Sequence, residues 1–236
     1  MKIAIIGAME SEVELLRERL QYVRVESYGS RDYYEGMLEG APVVLVACGI
    51  GKVSAAVCAQ TLIDRFGPTH LIFTGIAGSL DARIDIGDMV VSTDCVQHDF
   101  NVGEFGYPKG QIPGYDTLGF KADAELRKLA VEATRAVSSD ISVFEGRVAS
   151  GDQFVSSSAQ KEFIATTFGA LCCEMEGAAV AQAAYLNELP FVVLRAISDK
   201  ADGLAGIDYP NFEVIASHQG ADVVGEMCRR LAARLA

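Results

Sequence analysis

The feature that most restricts the fold of this sequence is a regular alternation of short apolar runs and longer amphipathic stretches. The first pair consists of the run KIAII (2–6), closed by Gly7, and a stretch with Val13, Leu16 and Leu20 at helical spacing. Short apolar runs indicate buried strands, whereas longer stretches with a 3.6-residue period indicate amphipathic helices. Because the two alternate along the chain, we expect a mixed, largely parallel sheet covered by helices on both faces.

The remaining elements follow from the same patterns and from glycine and proline positions. Strands are predicted within 32–49, as two strands around a turn at Glu39-Gly40, and at 70–75, 88–97, 141–151, 170–175 and 190–198. Helices are predicted at 10–20, 52–66, 121–137, 158–166, 176–188 and 212–235. Neither a repeat nor a linker interrupts the pattern, so we expect one domain over 1–236.

Charge and hydropathy exclude several classes of partner. The net charge is −12, and the sequence contains no basic cluster. Proteins hold nucleic acids and anionic membranes through Lys and Arg, so this charge disfavours both as partners. No apolar run approaches the ~18 residues of a membrane span, and the first apolar run is shorter than a secretory core of about 7–15 residues. We therefore expect a cytoplasmic protein with a small-molecule ligand, without a nucleic-acid or membrane partner.

Cysteine and glycine spacings give no sign of a metal or cofactor. The six cysteines form no C-x-x-C pair and have no histidine at zinc-ligand spacing, which favours reduced thiols in the core. The segment GAMESE lacks the spacing of a dinucleotide-binding loop, and ACGIGKVS has Val53 where a P-loop needs Ser or Thr. We predict no metal and no cofactor.

Carboxylates gather where predicted strands end. Glu12 follows the first strand, Glu176 lies at a strand-to-helix turn, and Asp199 closes the strand RAIS. In open α/β sheets ligands bind beyond the carboxyl ends of strands, and paired carboxylates suit glycosidic cleavage through a cationic transition state. Two other interpretations stay open at this point: Glu12 belongs to a solvated helix face, or Asp199 caps the next helix.

Seven segments carry a resemblance to a known family. They are IIGAMESEVELL, GIGKVSAA, TGIAGSL, FGYPKGQIPG, SGDQF, CEMEGAAVA and RAISDKAD, and the likeness that they carry extends over essentially the whole chain. In order and spacing they resemble 5′-methylthioadenosine/S-adenosylhomocysteine nucleosidases, of the purine nucleoside phosphorylase and nucleosidase superfamily. The resemblance implies an αβα sandwich of three layers around a mixed, partly barrel-like sheet.

The resemblance also implies roles in hydrolysis of an N-glycosidic bond. Asp199 would protonate purine N7, Glu176 would bind the ribose hydroxyls, and Glu12 would activate water. The implied substrate contacts include Phe154 stacked on adenine and the Val155 backbone at its edge. Further substrate-binding residues are Met9, Ile50, Ile76, Gly78, Met175, Arg195, Ser198 and Tyr209, of which Arg195 could equally be a structural strut.

The glycine-rich segment 99–120 has neither helical nor strand periodicity, and a loop this long in a compact chain is typically functional. In the family, residues of a second subunit close the pocket for the 5′-substituent. The matching positions here are Val102, Phe105, Tyr107 and Pro113. We therefore expect a homodimer in which this loop completes the partner's site.

Two positions depart from the family pattern. Ile76 stands where a small hydroxyl residue is common, and the sequence around Tyr209 differs from that of the expected mobile segment. Three alternatives remain: an aminodeoxyfutalosine nucleosidase, a phosphate-dependent phosphorylase and a non-catalytic nucleoside-binding or storage protein. A phosphorylase needs arginines for phosphate, whereas acids precede Arg17 here, and a storage protein would lack the three acids.

Overall fold

The computed structural model describes residues 1–234. Its strands are β1 (Ile3–Gly7), β2 (Gln21–Tyr28), β3 (Arg31–Leu38), β4 (Ala41–Ala47), β5 (His70–Ser79), β6 (Met89–Gln97), β7 (Phe120–Lys121), β8 (Val143–Ser150), β9 (Ala170–Glu174) and β10 (Phe191–Asp199). Its α-helices are α1 (Glu10–Arg19), α2 (Lys52–Phe66), α3 (Ala124–Val137), α4 (Ser158–Phe168), α5 (Gly177–Leu186) and α6 (Ala205–Ala233).

The sheet closes on itself through β5. This strand pairs with β10 along one edge, and its other edge pairs first with β1 and then, near its carboxyl end, with β9. The order β5-β9-β8-β6-β10 returns to β5 and forms a ring, and β1, β4, β3 and β2 extend from it as an arm. The mixed, partly barrel-like sheet is thereby confirmed.

Parallel pairing is less dominant than the sequence predicts. Among the described residues, five strand pairs are parallel and five are antiparallel. The antiparallel pairs are the two of the β2-β3-β4 meander, the ring pairs β5–β9 and β6–β10, and the short pair β6–β7 at the edge of the ring. Apolar runs that are buried on both faces look alike in either orientation, so the sequence carried no signal for these ring pairs.

The two faces of the sheet bury separate apolar clusters. Along β1, Ala4 and Ile6 pack with residues of α2 and α5, whereas Ile3 and Ile5 pack with residues of α1, α3 and α6. This two-residue alternation places helices on both sides of the strand. The three-layer αβα arrangement is confirmed, and all six cysteines are free and buried, as expected for core thiols.

Three elements differ from the sequence prediction, and the shortest of them is β7, which lies where a loop and the start of a helix were predicted. The prediction missed β2, because its first five residues are exposed and it forms by pairing with β3 rather than by burial. The last helix begins at Ala205 rather than at 212, because Pro210, which usually breaks helices, is accommodated inside it. Its predicted end at 235 lies outside the described residues. Within 1–234, no helix is both long and apolar enough to span a membrane.

Candidate active site

Three buried carboxylates meet at one cavity of about 380 Å³. Glu12 comes from the first turn of α1, Glu176 from the turn between β9 and α5, and Asp199 from the carboxyl end of β10. These segments are distant in sequence but lie at the rim where β1, β9 and β10 end. Eight further residues that the sequence predicted as substrate-binding line the same cavity: Met9, Ile50, Ile76, Gly78, Phe154, Met175, Ser198 and Tyr209.

Glu12 is held entirely by backbone amides. Its Oε2 accepts hydrogen bonds from the N–H groups of Ala8 (2.5 Å) and Met9 (2.9 Å), and its Oε1 accepts one from Ile76 (2.9 Å). Burial raises the pKa of this carboxyl, while nearby Arg195 and the three amides oppose the rise. Glu12 is therefore not part of a solvated helix face, and its side chain is fixed at the cavity wall.

The side chain of Glu176 makes one hydrogen bond and is otherwise free to meet a ligand. Its Oε1 accepts from the N–H of Gly51 at 2.7 Å, at the start of α2. Burial, followed by the neighbouring charge of Glu174, raises the pKa of Glu176 to about 7. The residue is 5% exposed and lines the cavity, so a ligand hydroxyl would meet an acceptor there.

Asp199 is buried and bonded on both oxygens. Its Oδ1 accepts from the N–H of Ala201 (2.8 Å), and its Oδ2 accepts from the hydroxyl of Ser198 (2.9 Å). Burial raises its pKa, and these hydrogen bonds oppose the rise. The alternative that Asp199 caps the next helix is wrong, because α6 begins at Ala205 and Leu204 is its N-cap residue.

Arg195 lies behind the cavity wall. Its guanidinium is 1% exposed, forms an ion pair with Glu174, and lies 4.1 Å from the centre of the Phe73 ring. It is absent from the cavity lining that the described residues form. The structure thus gives Arg195 the strut-like contact that the sequence left as one of two interpretations.

The apolar side of the cavity is built from rings and sulfur. Phe154 and Tyr209 meet edge to face with their centroids 5.9 Å apart, and the Tyr209 hydroxyl donates to Met9 Sδ at 3.1 Å. Tyr209 lies in the first turns of α6, which start earlier than predicted. Val155 lines a small adjoining recess of about 30 Å³, together with Phe154 and Asp199.

Within residues 1–234, segment 99–120 does not reach the cavity of its own chain. It contains a single 3₁₀ turn at Gly103–Phe105 before β7, and Phe105 is 80% exposed. Val102, Phe105, Tyr107 and Pro113 do not line the chain's own cavity, as the described residues define it.

Comparisons with known proteins agree with this geometry. A family model described as the phosphorylase superfamily matches residues 2–230. A 5′-methylthioadenosine/S-adenosylhomocysteine nucleosidase of Geobacillus sp. (strain WCH70) is 40% identical over 225 residues, which cover 95% of this chain and 96% of that protein. This chain belongs to the methylthioadenosine/S-adenosylhomocysteine nucleosidase family.

Solved structures of the nucleosidase family share the fold over almost the whole chain. The enzyme of Neisseria meningitidis, in complex with methylthio-immucillin-A, has a TM-score of 0.93 at 40% identity and covers 97% of this chain and 99% of its own. The enzyme of Colwellia psychrerythraea 34H, in complex with adenine, has a TM-score of 0.94 at 35% identity, and the match covers 98% of this chain and 96% of that one.

Sequence reasoning missed four residues that line the cavity. Ala8, Ala77 and Cys173 have small side chains without a chemical signal, so nothing in their types could have singled them out. Glu174 did have a signal, because it is an acid in an apolar run. The amide of Gly51 was also missed, since a backbone donor becomes visible only when the fold aims it at Glu176.

The raised pKa of Glu176 makes stability depend on pH. Between the ordinary value of 4.5 and about 7, the folded protein retains a proton that the unfolded chain releases. Stability contributed by this group therefore falls as the pH rises through that window. We expect Glu176→Gln, which cannot ionise, to raise the free energy of unfolding at pH 8 by on the order of 2 kcal/mol.

Urea denaturation between pH 4 and pH 8 measures this effect. The advantage of Glu176→Gln over the wild type should shrink to nothing near pH 4, where both side chains are neutral. Glu14→Gln on the exposed face of α1 is the matched control and should show no such pH-dependent gain. A constant difference between wild type and Glu176→Gln at every pH would contradict the raised pKa.

Proposed function

We propose that this protein hydrolyses the N-glycosidic bond of 5′-methylthioadenosine and S-adenosylhomocysteine, and also of 5′-deoxyadenosine, releasing adenine and the sugar. The observation that carries the proposal is the meeting of three buried carboxylates, each with different hydrogen-bond partners, at one largely apolar cavity. Carboxylates suit a reaction in which positive charge develops on the sugar, because they stabilise a cation and can also transfer protons.

Asp199 is the proposed general acid. An acid that protonates purine N7 near neutral pH must keep its own proton, and burial raises the pKa of Asp199 in that direction. The Ser198 hydroxyl and the Ala201 amide fix the carboxyl at the rim. Protonation at N7 turns adenine into a better leaving group, and the glycosidic bond then breaks with oxocarbenium character.

Glu12 and Glu176 would act on the sugar side of the bond. Three amides fix Glu12, which would orient water and take its proton as the water attacks the anomeric carbon. Glu176 has a single hydrogen bond, so its remaining lone pairs can accept the two ribose hydroxyls. The developing cation would thus meet carboxylates on the side where it forms.

The apolar walls fit an adenine nucleoside with an uncharged 5′-group. Phe154 would stack on the base, while the Val155 backbone at the adjoining recess would read its edge. Met175 would lie under the ribose, and Met9 and Ile50 would face the 5′-substituent. Ile76 adds apolar surface where a hydroxyl could have met the ribose, so we expect it to influence affinity rather than catalysis.

Water rather than phosphate is the proposed nucleophile. Within residues 1–234, the lining of the cavity includes three glutamates and one aspartate but neither lysine nor arginine. A phosphate nucleophile needs such cations, and the guanidinium of Arg195 pairs with Glu174 behind the wall. Negative charge at the cavity favours a base that activates water.

A substrate panel tests the proposed function. Adenine release is measured from methylthioadenosine, S-adenosylhomocysteine, 5′-deoxyadenosine and aminodeoxyfutalosine with the wild-type protein. We expect release from the first three. Release from aminodeoxyfutalosine alone would assign the protein to menaquinone synthesis, and release from none would refute the proposal.

We further propose a homodimer in which segment 99–120 completes the partner's cavity. The segment presents Phe105 and Tyr107 to solvent, and the outer face of α2 presents Val53 and Val57, which are 76% and 54% exposed. Exposed apolar groups on neighbouring parts of a surface commonly mark an interface. The 5′-side of the cavity, at Ile50, is open and would be closed by such a partner.

Phe105→Asp tests this arrangement. Burying a carboxylate in an apolar interface is costly, so we expect the variant to shift from dimer to monomer and to raise KM for methylthioadenosine at least tenfold. Sedimentation velocity gives the oligomeric state, and steady-state kinetics give KM. Tyr22→Asp on β2, equally exposed but distant in the fold, is the control and should remain dimeric. A wild-type monomer with full activity would contradict the proposal.

A further inference from the structure

The turn between β9 and α5 is capped in an unusual way. Glu176 is the N-cap residue of α5, but its side chain accepts none of the helix's first amides. The N–H of Gly177 donates instead to Glu174 at 2.8 Å, and the N–H of Ala178 donates to Ser150 Oγ at 2.7 Å. An N-cap side chain normally satisfies these amides itself. Because Glu174 and Ser150 replace it, the Glu176 carboxyl is free to face the cavity.

Glu174 also holds the backbone of Glu176 directly. Its Oε2 accepts from the Glu176 N–H at 3.2 Å, and its Oε1 accepts from the Ser150 hydroxyl and from Gly177 N–H at 3.0 Å. The Glu174 side chain is only 4% exposed, so these bonds are made away from water. Buried, charge-assisted hydrogen bonds of this kind restrict a side chain to one position.

The same carboxyl determines where the buried guanidinium of Arg195 is bound. Arg195 Nη1 and Glu12 Oε1 both lie against Gly75 of β5. A Cβ atom at Gly75 would be no more than 2.5 Å from either atom, so the two side chains lie close together. Arg195 nevertheless forms its ion pair with Glu174, while Glu12 is bonded only by amides. Glu174 thereby keeps a full positive charge from pairing with Glu12, which is the proposed base.

We infer that Glu174 is a positioning residue of the reaction, an inference that rests on the proposed function: by capping α5 and binding Arg195, it leaves Glu176 free for the ribose hydroxyls and Glu12 free for water. Glu174 also borders the cavity, but both of its oxygens accept hydrogen bonds from the protein, which separates it from the three acids proposed to act on a ligand. The two acids on either side of Met175 thus have different roles: Glu174 binds groups of the protein, and Glu176 binds the ligand.

The charge of Glu174 has a second consequence for its neighbour. After burial, it is the largest cause that raises the pKa of Glu176. Removing that charge should therefore lower the pH at which Glu176 ionises. The titratable and charged groups that face Glu174 from the packed elements are Arg195, Glu176, Cys95, Cys172, Cys173 and His98, and Glu12 and Asp199 line the same cavity.

Glu174→Gln tests the inference, because it keeps the shape of the side chain and removes its charge. We expect kcat/KM for methylthioadenosine at the optimum to fall roughly 10- to 100-fold, since misplaced reacting groups cost about this much. The acidic limb of the kcat/KM profile should move to lower pH by about one unit. Carboxyl ¹³C NMR, with Glu176 assigned by its loss in Glu176→Gln, should show the same downward shift.

Two controls separate charge from capping. Glu174→Asp keeps the charge but shortens the side chain, so it should lower kcat without changing the pH of the acidic limb of the kcat/KM profile. Ser150→Ala removes a helix cap without changing charge and should lower thermal stability, again without moving the limb. If Glu174→Gln titrates and turns over like the wild type and differs only in stability, the inference is wrong. If the wild type releases no adenine, the proposed function fails, and the NMR titration still decides the role of Glu174.

Discussion

Asp199→Asn should reduce kcat for methylthioadenosine by about 10²- to 10⁴-fold, the range that general acid catalysis typically contributes. Asparagine keeps the size of the side chain and can still accept the Ala201 N–H through its carbonyl oxygen, which occupies the position of Oδ1. It cannot deliver a proton to N7 as the base departs. Because the proposed binding contacts are the apolar walls and Glu176, KM should change by less than about tenfold.

Discontinuous or coupled assays of adenine release measure this loss of kcat. Asp202→Asn is the matched control, because it removes a nearby carboxylate whose Oδ1 caps the Leu204 amide outside the cavity. That variant should retain kcat within about threefold of the wild type, since it touches no reacting atom. Equal kcat for Asp199→Asn and the wild type would remove Asp199 from the mechanism.

Glu12→Gln should lower kcat by a similar factor of about 10² to 10⁴ for a different reason. Glutamine keeps one oxygen for the surrounding amides but cannot take a proton from water. Its NH₂ group must also face an N–H of Ala8, Met9 or Ile76 where the carboxylate accepted one. We therefore expect a loss of stability as well as of activity, since a buried donor is left unpaired.

Activity and stability of Glu12→Gln are measured separately, by adenine release and by thermal unfolding. Glu10→Gln, in the same helical turn but exposed, is the control; it removes only a surface ion pair with Arg17 and should match the wild type in kcat. Full activity of Glu12→Gln at any pH would show that another group activates the water.

The rim itself could be predicted from the sequence, because glycines and acids that follow buried strands must converge where parallel strands end. Glu12, Glu176 and Asp199 were expected near one another for this reason, and the structure brings all three to one cavity. Assigning a role to each needed the family resemblance, since a carboxylate at a strand end looks the same in sequence whether it caps a helix or faces a ligand.

Features that depend on pairing partners could not be predicted. Strand β2 is held by β3 and lacks a buried face, so its sequence has no apolar alternation to detect. The early start of α6, which brings Tyr209 to the cavity, was hidden by Pro210. Glu174 and Gly51 form hydrogen bonds with segments more than 20 residues away in sequence, which no local pattern encodes.

The most direct test of the central claim is the product formed from methylthioadenosine in the presence and absence of inorganic phosphate. The claim is that this cavity activates water, so ¹H and ³¹P NMR should show adenine and methylthioribose at the same rate in both conditions. No sugar phosphate should appear. Formation of methylthioribose 1-phosphate, or adenine release only when phosphate is added, would contradict the account.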